Sequence, residues 1–293
     1  MSEPTRAWLL AARLPTLVAA IVPVTVGTAC AARERPVSWV AVAAALLGAV
    51  WIQVGTNLVN DLADFERGAD AGDRLGPPRA AQTGMLTATQ LRRGAGGAFA
   101  IACMFGVVLI ALRGWPIVAI GVTSIVAGLA YTAGPFPLAY HGLGDAFVLL
   151  FFGWMAVCGA AFAAGGTVPP IAWWAAVPVG ASATMLLAVN NVRDRHSDAR
   201  AAKRTLVVRH GRRFGELEYR VLAVAIYLVP LLVIGRGLGG WGFLLAALTS
   251  PIAWRLCVRL QREDGAALNA LLRDTARFLL VHGIWWSVIL ACA

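Results

Sequence analysis

Residues 57–87, NLVNDLADFERGADAGDRLGPPRAAQTGMLT, decide how the rest of the chain is read. Asp61, Asp64, Glu66, Asp70 and Asp73 are a third of the chain's 15 acids, and they follow directly on an apolar run long enough to cross a bilayer. Carboxylates this dense repel one another unless something positive sits among them, and burying them unpaired in a core or against lipid is too costly. A solvated loop is the competing reading, and the remainder of the chain weighs against it.

With 59% hydrophobic residues, 14% charged residues and a mean hydropathy of +0.72, the chain lies outside the range of soluble domains. Its apolar residues come in long blocks, which predicts an all-α polytopic membrane protein forming one domain over residues 1–293. Nine spans are expected, at about 14–32, 37–58, 92–112, 115–133, 143–163, 169–191, 219–235, 239–256 and 274–292. Arg113-Gly114-Trp115-Pro116 must be a tight turn between the third and fourth, with Pro116 in a first helical turn. Trp8, Trp39, Trp115, Trp173, Trp174 and Trp241 suit membrane boundaries. No cleaved signal peptide is expected. The 5 cysteines, scattered without CxxC spacing, read as small core residues, not as ligands or disulfides.

The net charge is +10, and the chain has a single lysine, Lys203. If the N-terminus is cytoplasmic and the C-terminus outside, every Lys and Arg except Arg33, Arg35, Arg113 and Arg236 falls on the cytoplasmic side. The basic balance is thus a topology signal, and no nucleic-acid partner is needed. By parity, the loops after the second and sixth spans share that side. The second of them, Asn190-Asn191-Val192-Arg193-Asp194-Arg195-His196-Ser197-Asp198, carries the other paired carboxylates at a membrane exit.

Helical positions four apart share a face, so Asn57 aligns with Asp61, Asn60 with Asp64, and Asn190, Asp194 and Asp198 form one stripe. Two such acid-bearing ends converging on one cavity suit Mg²⁺, a hard ion held by one or two carboxylates, waters and a substrate phosphate. Arg67, Arg74 and Arg79 near the first cluster, and Arg193, Arg195, Arg200, Lys203 and Arg204 around the second, argue for an anion beyond the metal, such as a diphosphate. Gly68 interrupts the first cluster, so Asp70 reaches the site only if a helix ends near Gly68. Gly76-Pro77-Pro78-Arg79 reads as a turn fixing a loop over the site, with Arg79 and Gln82 available to a polar ligand. Tyr131 and Asp145 flank a third loop on the same side. His196 points off the carboxylate stripe, and His282 reads as a satisfied core histidine.

These motifs resemble the UbiA superfamily of intramembrane aromatic prenyltransferases. Within it, Asn60-Asp61-x-x-Asp64-Phe65-x-x-Gly68-x-Asp70, Gly76-Pro77-x-Arg79-x-x-Gln82-x-Gly84 and Asn190-Asn191-x-Arg193-Asp194-x-x-x-Asp198, followed by Lys203-Arg204-Thr205-Leu206, are similar to the 1,4-dihydroxy-2-naphthoate polyprenyltransferases of menaquinone synthesis. Tyr131-Thr132-x-Gly134-Pro135-x-Pro137-Leu138-x-Tyr140-x-Gly142-x-Gly144-Asp145 fits the same subfamily. The resemblance implies nine transmembrane helices around a central cavity in the cell membrane. It also implies transfer of a polyprenyl group from polyprenyl diphosphate to 1,4-dihydroxy-2-naphthoate, with loss of CO₂ and diphosphate. Asn60, Asp61, Asp64, Asp70, Asp194 and Asp198 are then the expected Mg²⁺ ligands. Lys203 joins Asn60, Asp64, Asp194 and Asp198 in catalysis, and Asn57, Asp61, Asp70, Arg79, Gln82, Tyr131, Asn190, Asn191, Arg193 and Arg204 bind substrate. The superfamily's third acid, four residues after Asp64, is Gly68 here; the subfamily shares this shift to Asp70. Leu62 stands where an aromatic is common and Asp145 where Glu is common.

Three alternatives stay open. Another acceptor, such as 4-hydroxybenzoate or homogentisate, fits the same scaffold. A cation-coupled transporter also uses paired acids, although the outer halves of the spans carry almost no charge to form a path. A CDP-alcohol phosphotransferase needs a different acid-rich signature, which this chain lacks.

Overall fold

The computed structural model describes residues 3–68 and 75–292. Its helices are α1 (Glu3–Ala12), α2 (Val18–Glu34), α3 (Trp39–Glu66), α4 (Ala88–Arg113), α5 (Pro116–Thr132), α6 (Gly144–Gly165), α7 (Pro170–Arg200), the short α8 (Leu206–His210), α9 (Arg212–Gly235), α10 (Trp241–Arg262) and α11 (Leu268–Cys292). No strand occurs among the described residues.

The expectation of nine full spans needs adjustment. Among the described residues, seven helices are long and apolar enough to cross a membrane, or eight if the pair Thr5–Thr16 and Val18–Glu34, bent by 46°, counts as one. The remaining apolar helix, α5, has 17 residues. At about 1.5 Å per residue it is roughly 26 Å long, a little short of a hydrocarbon core of about 30 Å. The bend after α1 comes from Arg13, a non-glycine residue in the left-handed region at φ 51, followed by Pro15 in the next turn.

The helices bearing the acid clusters outrun their apolar stretches. The second span continues to Glu66 and the sixth to Arg200, because nothing in Asn57–Glu66 or Asn190–Arg200 breaks a helix. Asp61, Asp64, Asp194 and Asp198 therefore stand on helix ends, not in loops. α3 starts at Ser38, whose Oγ accepts from the Ala41 amide, and stops at Gly68, which takes φ +69. α4 starts with a capping box between Thr87 and Gln90.

α3 packs on α4, α9 on α7, and α2 against both α6 and α11. The core where α2, α6, α7 and α11 meet is built of small and branched side chains, among them Val22, Val26, Ala161, Ala176 and Leu290. Backbones approach closely there: a Cβ on Gly27 would lie 2.3 Å from the Val157 carbonyl oxygen. α6 contains a π-helical turn, Leu149–Met155, opposite Gly180 of α7. Val221, Val224, Leu228 and Trp254 are exposed on the outside, as a lipid-facing surface requires. Cys30, Cys158 and Cys257 are buried and unpaired, but Cys103 and Cys292 are exposed, so the cysteines are not all core residues. Away from the apolar surface, hydrogen bonds from Arg195, aided by Arg212, hold the Asp264 carboxyl well below its usual range and tie α7 and α9 to the turn before α11.

Candidate active site

The last turns of α3 deliver Asn60, Asp61 and Asp64, all buried, to the edge of a cavity of about 1020 Å³. Asp64 accepts a 2.9 Å hydrogen bond from the Tyr140 hydroxyl and lies 2.8 Å from Arg79 Nη1. The same Nη1 donates to the Asn60 carbonyl at 3.2 Å, and Asp61 Oδ2 accepts from the Ala81 amide at 3.4 Å. The turn at Pro77-Pro78-Arg79 is thereby folded back onto α3. Asn60 Oδ1 accepts from Thr132 Oγ1 at the end of α5.

α7 supplies the opposite wall. Arg193, only 2% exposed, grips Asp194 through Nε at 2.8 Å and Nη2 at 2.6 Å, and also donates to Asn190 Oδ1 and Asn269 Oδ1. Lys203 Nζ sits 3.5 Å from Asp198 Oδ1, and its amide closes the helix on the Asp198 carbonyl. Tyr140 joins the two walls. Its hydroxyl reaches Asp64, its carbonyl accepts from the Arg204 amide, and its ring lies 5.1 Å from the Arg67 guanidinium and 5.7 Å from Lys203 Nζ. Burial, reinforced by the charge of Asp64, pushes the Tyr140 phenol well above its usual value, so it remains a donor at neutral pH. Tyr140→Phe should leave one Asp64 oxygen short of a donor and lower turnover roughly tenfold, the worth of about one hydrogen bond to a charged group. Steady-state rates of the two proteins check this.

Asn60, Asp61, Asp64, Arg79, Tyr131, Asn190, Arg193 and Lys203 line the polar end of the cavity; Ile52, Ile110, Val122, Phe147 and Phe151 line the remainder. A charged end on a long apolar chamber fits a ligand with an anionic head and a hydrocarbon body.

Several expected ligand-binding residues do other work. Asn57 is buried and donates to the Ala12 carbonyl and Thr16 Oγ1, pinning the bend between α1 and α2. Asn191 donates to Asp145 at 3.1 Å, away from the cavity lining. Arg204 is exposed and Gln82 half-buried, and neither lines the cavity. Asp194 and Asp198 stand behind Arg193 and Lys203 and do not line it either. Asp70 lies outside the described residues. His196 is exposed, and His282 is a buried core histidine with Nδ1 2.8 Å from Thr249 Oγ1.

Among the described residues no three His, Cys, Asp or Glu side chains gather into a metal cage. The donor set nevertheless suits a hard cation completed by a substrate's oxygens. Asp61 Oδ1 and Asp198 Oδ2 are buried carboxylate oxygens that accept no hydrogen bond from any described residue.

Tyr140, Thr132, Arg6, Arg13 and Asn269 were not singled out by sequence. Tyr140 and Thr132 lie inside the motif that begins at Tyr131, so the motif marked the segment without marking them. Arg6 and Arg13 line the cavity although their sequence position reads only as inside charge. Asn269 carries no local signal.

Among the described residues, an all-helical bundle brings two acid-bearing helix ends to a long apolar chamber, an arrangement suited to a membrane protein that takes an anionic head on a hydrocarbon body. The UbiA prenyltransferase family matches residues 20–282, and this chain belongs to it. It is 34% identical to the 1,4-dihydroxy-2-naphthoate octaprenyltransferase of Escherichia coli (strain K12), over 97% of this chain and 96% of that one. The protein of the same name from Mycobacterium tuberculosis is 35% identical over 98% and 96%. Among solved structures, a UbiA homolog from Archaeoglobus fulgidus bound to DMAPP and Mg²⁺ shares the fold, with TM-score 0.65, 14% identity and coverage of 98% and 100%. A homolog from Aeropyrum pernix K1 does so with TM-score 0.68, 13% identity and coverage of 93% and 96%.

Proposed function

We propose that this protein transfers a polyprenyl group from polyprenyl diphosphate to 1,4-dihydroxy-2-naphthoate, releasing diphosphate and CO₂ and giving demethylmenaquinol. The observation that carries this reading is the single cavity whose charged end collects residues from both acid clusters while its body is apolar. Full-length relatives bearing that activity's name in several bacteria support the acceptor.

Asp61 and Asp64 from one wall and Asp194 and Asp198 from the other would hold Mg²⁺, with Asn60 as a neutral oxygen donor. A bound divalent cation supplies Lewis-acid neutralisation of the charge on the leaving diphosphate. Lys203, Arg193 and Arg79 stand ready to take diphosphate oxygens as hydrogen-bond and charge partners, stabilising charge as the allylic C–O bond lengthens. The prenyl carbon then bonds to the electron-rich ring carbon that bears the carboxylate. The carboxylate leaves as CO₂, and its bonding electrons restore the aromatic ring. The hydrocarbon walls, including Phe147 and Phe151, exclude water from the electrophilic carbon. Asp70 remains a candidate sixth ligand and Gln82 a candidate contact for the acceptor.

The site faces the cytoplasm in the cell membrane, with the N-terminus inside and the C-terminus outside, as the placement of Lys and Arg argues. Purified protein given one labelled polyprenyl diphosphate and, in turn, 1,4-dihydroxy-2-naphthoate, 4-hydroxybenzoate and homogentisate tests the acceptor. A prenylated, decarboxylated naphthoquinol mass is expected only with the first. Product from either other acid alone would overturn the assignment.

A further inference from the structure

Asn269 lies at the start of α11, far in sequence from both acid clusters, yet it touches both walls of the site. Its Oδ1 accepts from Arg193 Nη1 at 2.9 Å, and its Nδ2 donates to the Leu75 carbonyl at 2.7 Å. Arg193 lines the cavity at the end of α7, whereas Leu75 opens the segment leading through Gly76-Pro77-Pro78 to Arg79, which meets Asp64. One side-chain amide thus spans the guanidinium of the second cluster and the loop of the first.

The chemistry favours a primary amide at this position. Arg193 directs Nε and Nη2 at Asp194 and Nη2 also at Asn190, leaving Nη1 to be satisfied by Asn269. In a side chain 2% exposed, an unmatched N–H is costly. A carboxylate at residue 269 would accept from Arg193 but could not donate to Leu75. A lysine could donate but would repel Arg193. Of the three, the amide alone does both at once, and it has the reach to do so from residue 269.

We propose that Asn269 is a positioning residue for prenyl transfer, holding Arg193 and the Leu75–Arg79 segment in register so that both cationic side chains meet the same diphosphate. This rests on the prenyl-transfer reading above. Its consequence is specific: loss of Asn269 weakens the hold on the diphosphate substrate and leaves the aromatic acid's KM unchanged.

The test measures affinity for a prenyl thiolodiphosphate, which resists transfer, in the full chain in lipid nanodiscs, alongside KM for each substrate. Asn269→Ala should weaken thiolodiphosphate binding about tenfold, the expected cost of an unmet hydrogen bond to a charged group, with the acceptor KM within twofold. Asn269→Asp, which keeps size and the Arg193 acceptor, should recover only part of the loss because the Leu75 contact stays broken. In an Arg193→Ala background the Asn269→Ala penalty should shrink severalfold, since residues in one network are not additive. Unchanged thiolodiphosphate affinity in both Asn269 variants, or a full penalty persisting without Arg193, would overturn the proposal. If Asn269→Ala does not fold, Asn269→Asp alone carries the comparison. The binding measurement needs no acceptor, so a wrong acceptor leaves this result standing; if the parent protein does not bind the thiolodiphosphate, the prenyl-transfer reading itself fails.

Discussion

Asp64→Asn should lose prenyl transfer by about 10²–10³-fold while the protein folds and embeds normally; losses of this size accompany removal of one group that stabilises charge in a transition state. The substitution separates chemistry from structure. Asparagine keeps the volume of Asp64 and an oxygen able to accept from the Tyr140 hydroxyl at 2.9 Å or from Arg79 at 2.8 Å, so the scaffold has little cause to move. What disappears is one of the two carboxylate charges lining the cavity's polar end, and with it part of the attraction for a divalent ion. Asp64→Ala is a blunter instrument. It removes the oxygen that the Tyr140 hydroxyl and Arg79 donate to, at about 1–3 kcal/mol for each buried donor left unmet, so stability and activity would fall together. Two measurements check the argument. Thermal inactivation of Asp64→Asn should stay within a few degrees of the parent. The Mg²⁺ concentration giving half-maximal residual activity should rise at least tenfold, and chelation should abolish activity in both proteins. Full activity in Asp64→Asn at low Mg²⁺ would remove Asp64 from the site.

What the chain revealed before folding, and what it withheld, follows from the range of the forces involved. The acids at Asp61, Asp64, Asp194 and Asp198 were legible because charge beside an apolar span is expensive and therefore informative, and their spacing places them on helix faces wherever the helix continues. The length of that continuation was not legible. A hydropathy window ends where polarity begins, yet Asn57–Glu66 and Asn190–Arg200 are polar and still helical. The contacts of Tyr140 and Asn269 were hidden for another reason. Tyr140 meets Asp64 across 76 positions, and Asn269 meets Arg193 across 76, contacts that exist only once the bundle closes. The same closure reassigns residues that sequence put in the site. Asn57 shares a face with Asp61, but that face meets the bend after α1, where Ala12 offers an uncapped carbonyl. Arg79 lines the cavity as read, but it is also drawn to Asp64, because at a buried site the nearest opposite charge outweighs solvation of a free cation.

Gly180→Leu should disable the protein by a different route, through the spacing of α6 and α7. A Cβ at residue 180 would lie 2.5 Å from the Leu149 carbonyl oxygen and 3.0 Å from Gly153 Cα. Both obstacles are backbone, so no side-chain rotation relieves the clash, and the helices must separate where the π-helical turn of α6 is seated. α6 carries Phe147 and Phe151 into the cavity, and α7 carries Asn190 and Arg193, so separation changes the width of the chamber as well as the packing. Overpacking of a dense core costs about 1–3 kcal/mol, and more where backbone must move. Gly180→Leu should therefore express poorly or inactivate well below the parent's temperature, and Gly180→Ala should show a smaller loss in the same direction. Gly97 gives the contrast. It lies mid-helix in α4 and is exposed, with nothing within 4 Å of an added Cβ. Gly97→Ala should be neutral or stabilising by up to about 1 kcal/mol, the helix-propensity difference between the two residues. Thermal inactivation of Gly180→Ala and Gly97→Ala side by side decides the matter. If both shift alike, the cost belongs to glycine replacement in general, and the close approach of α6 to α7 is not what fixes the chamber.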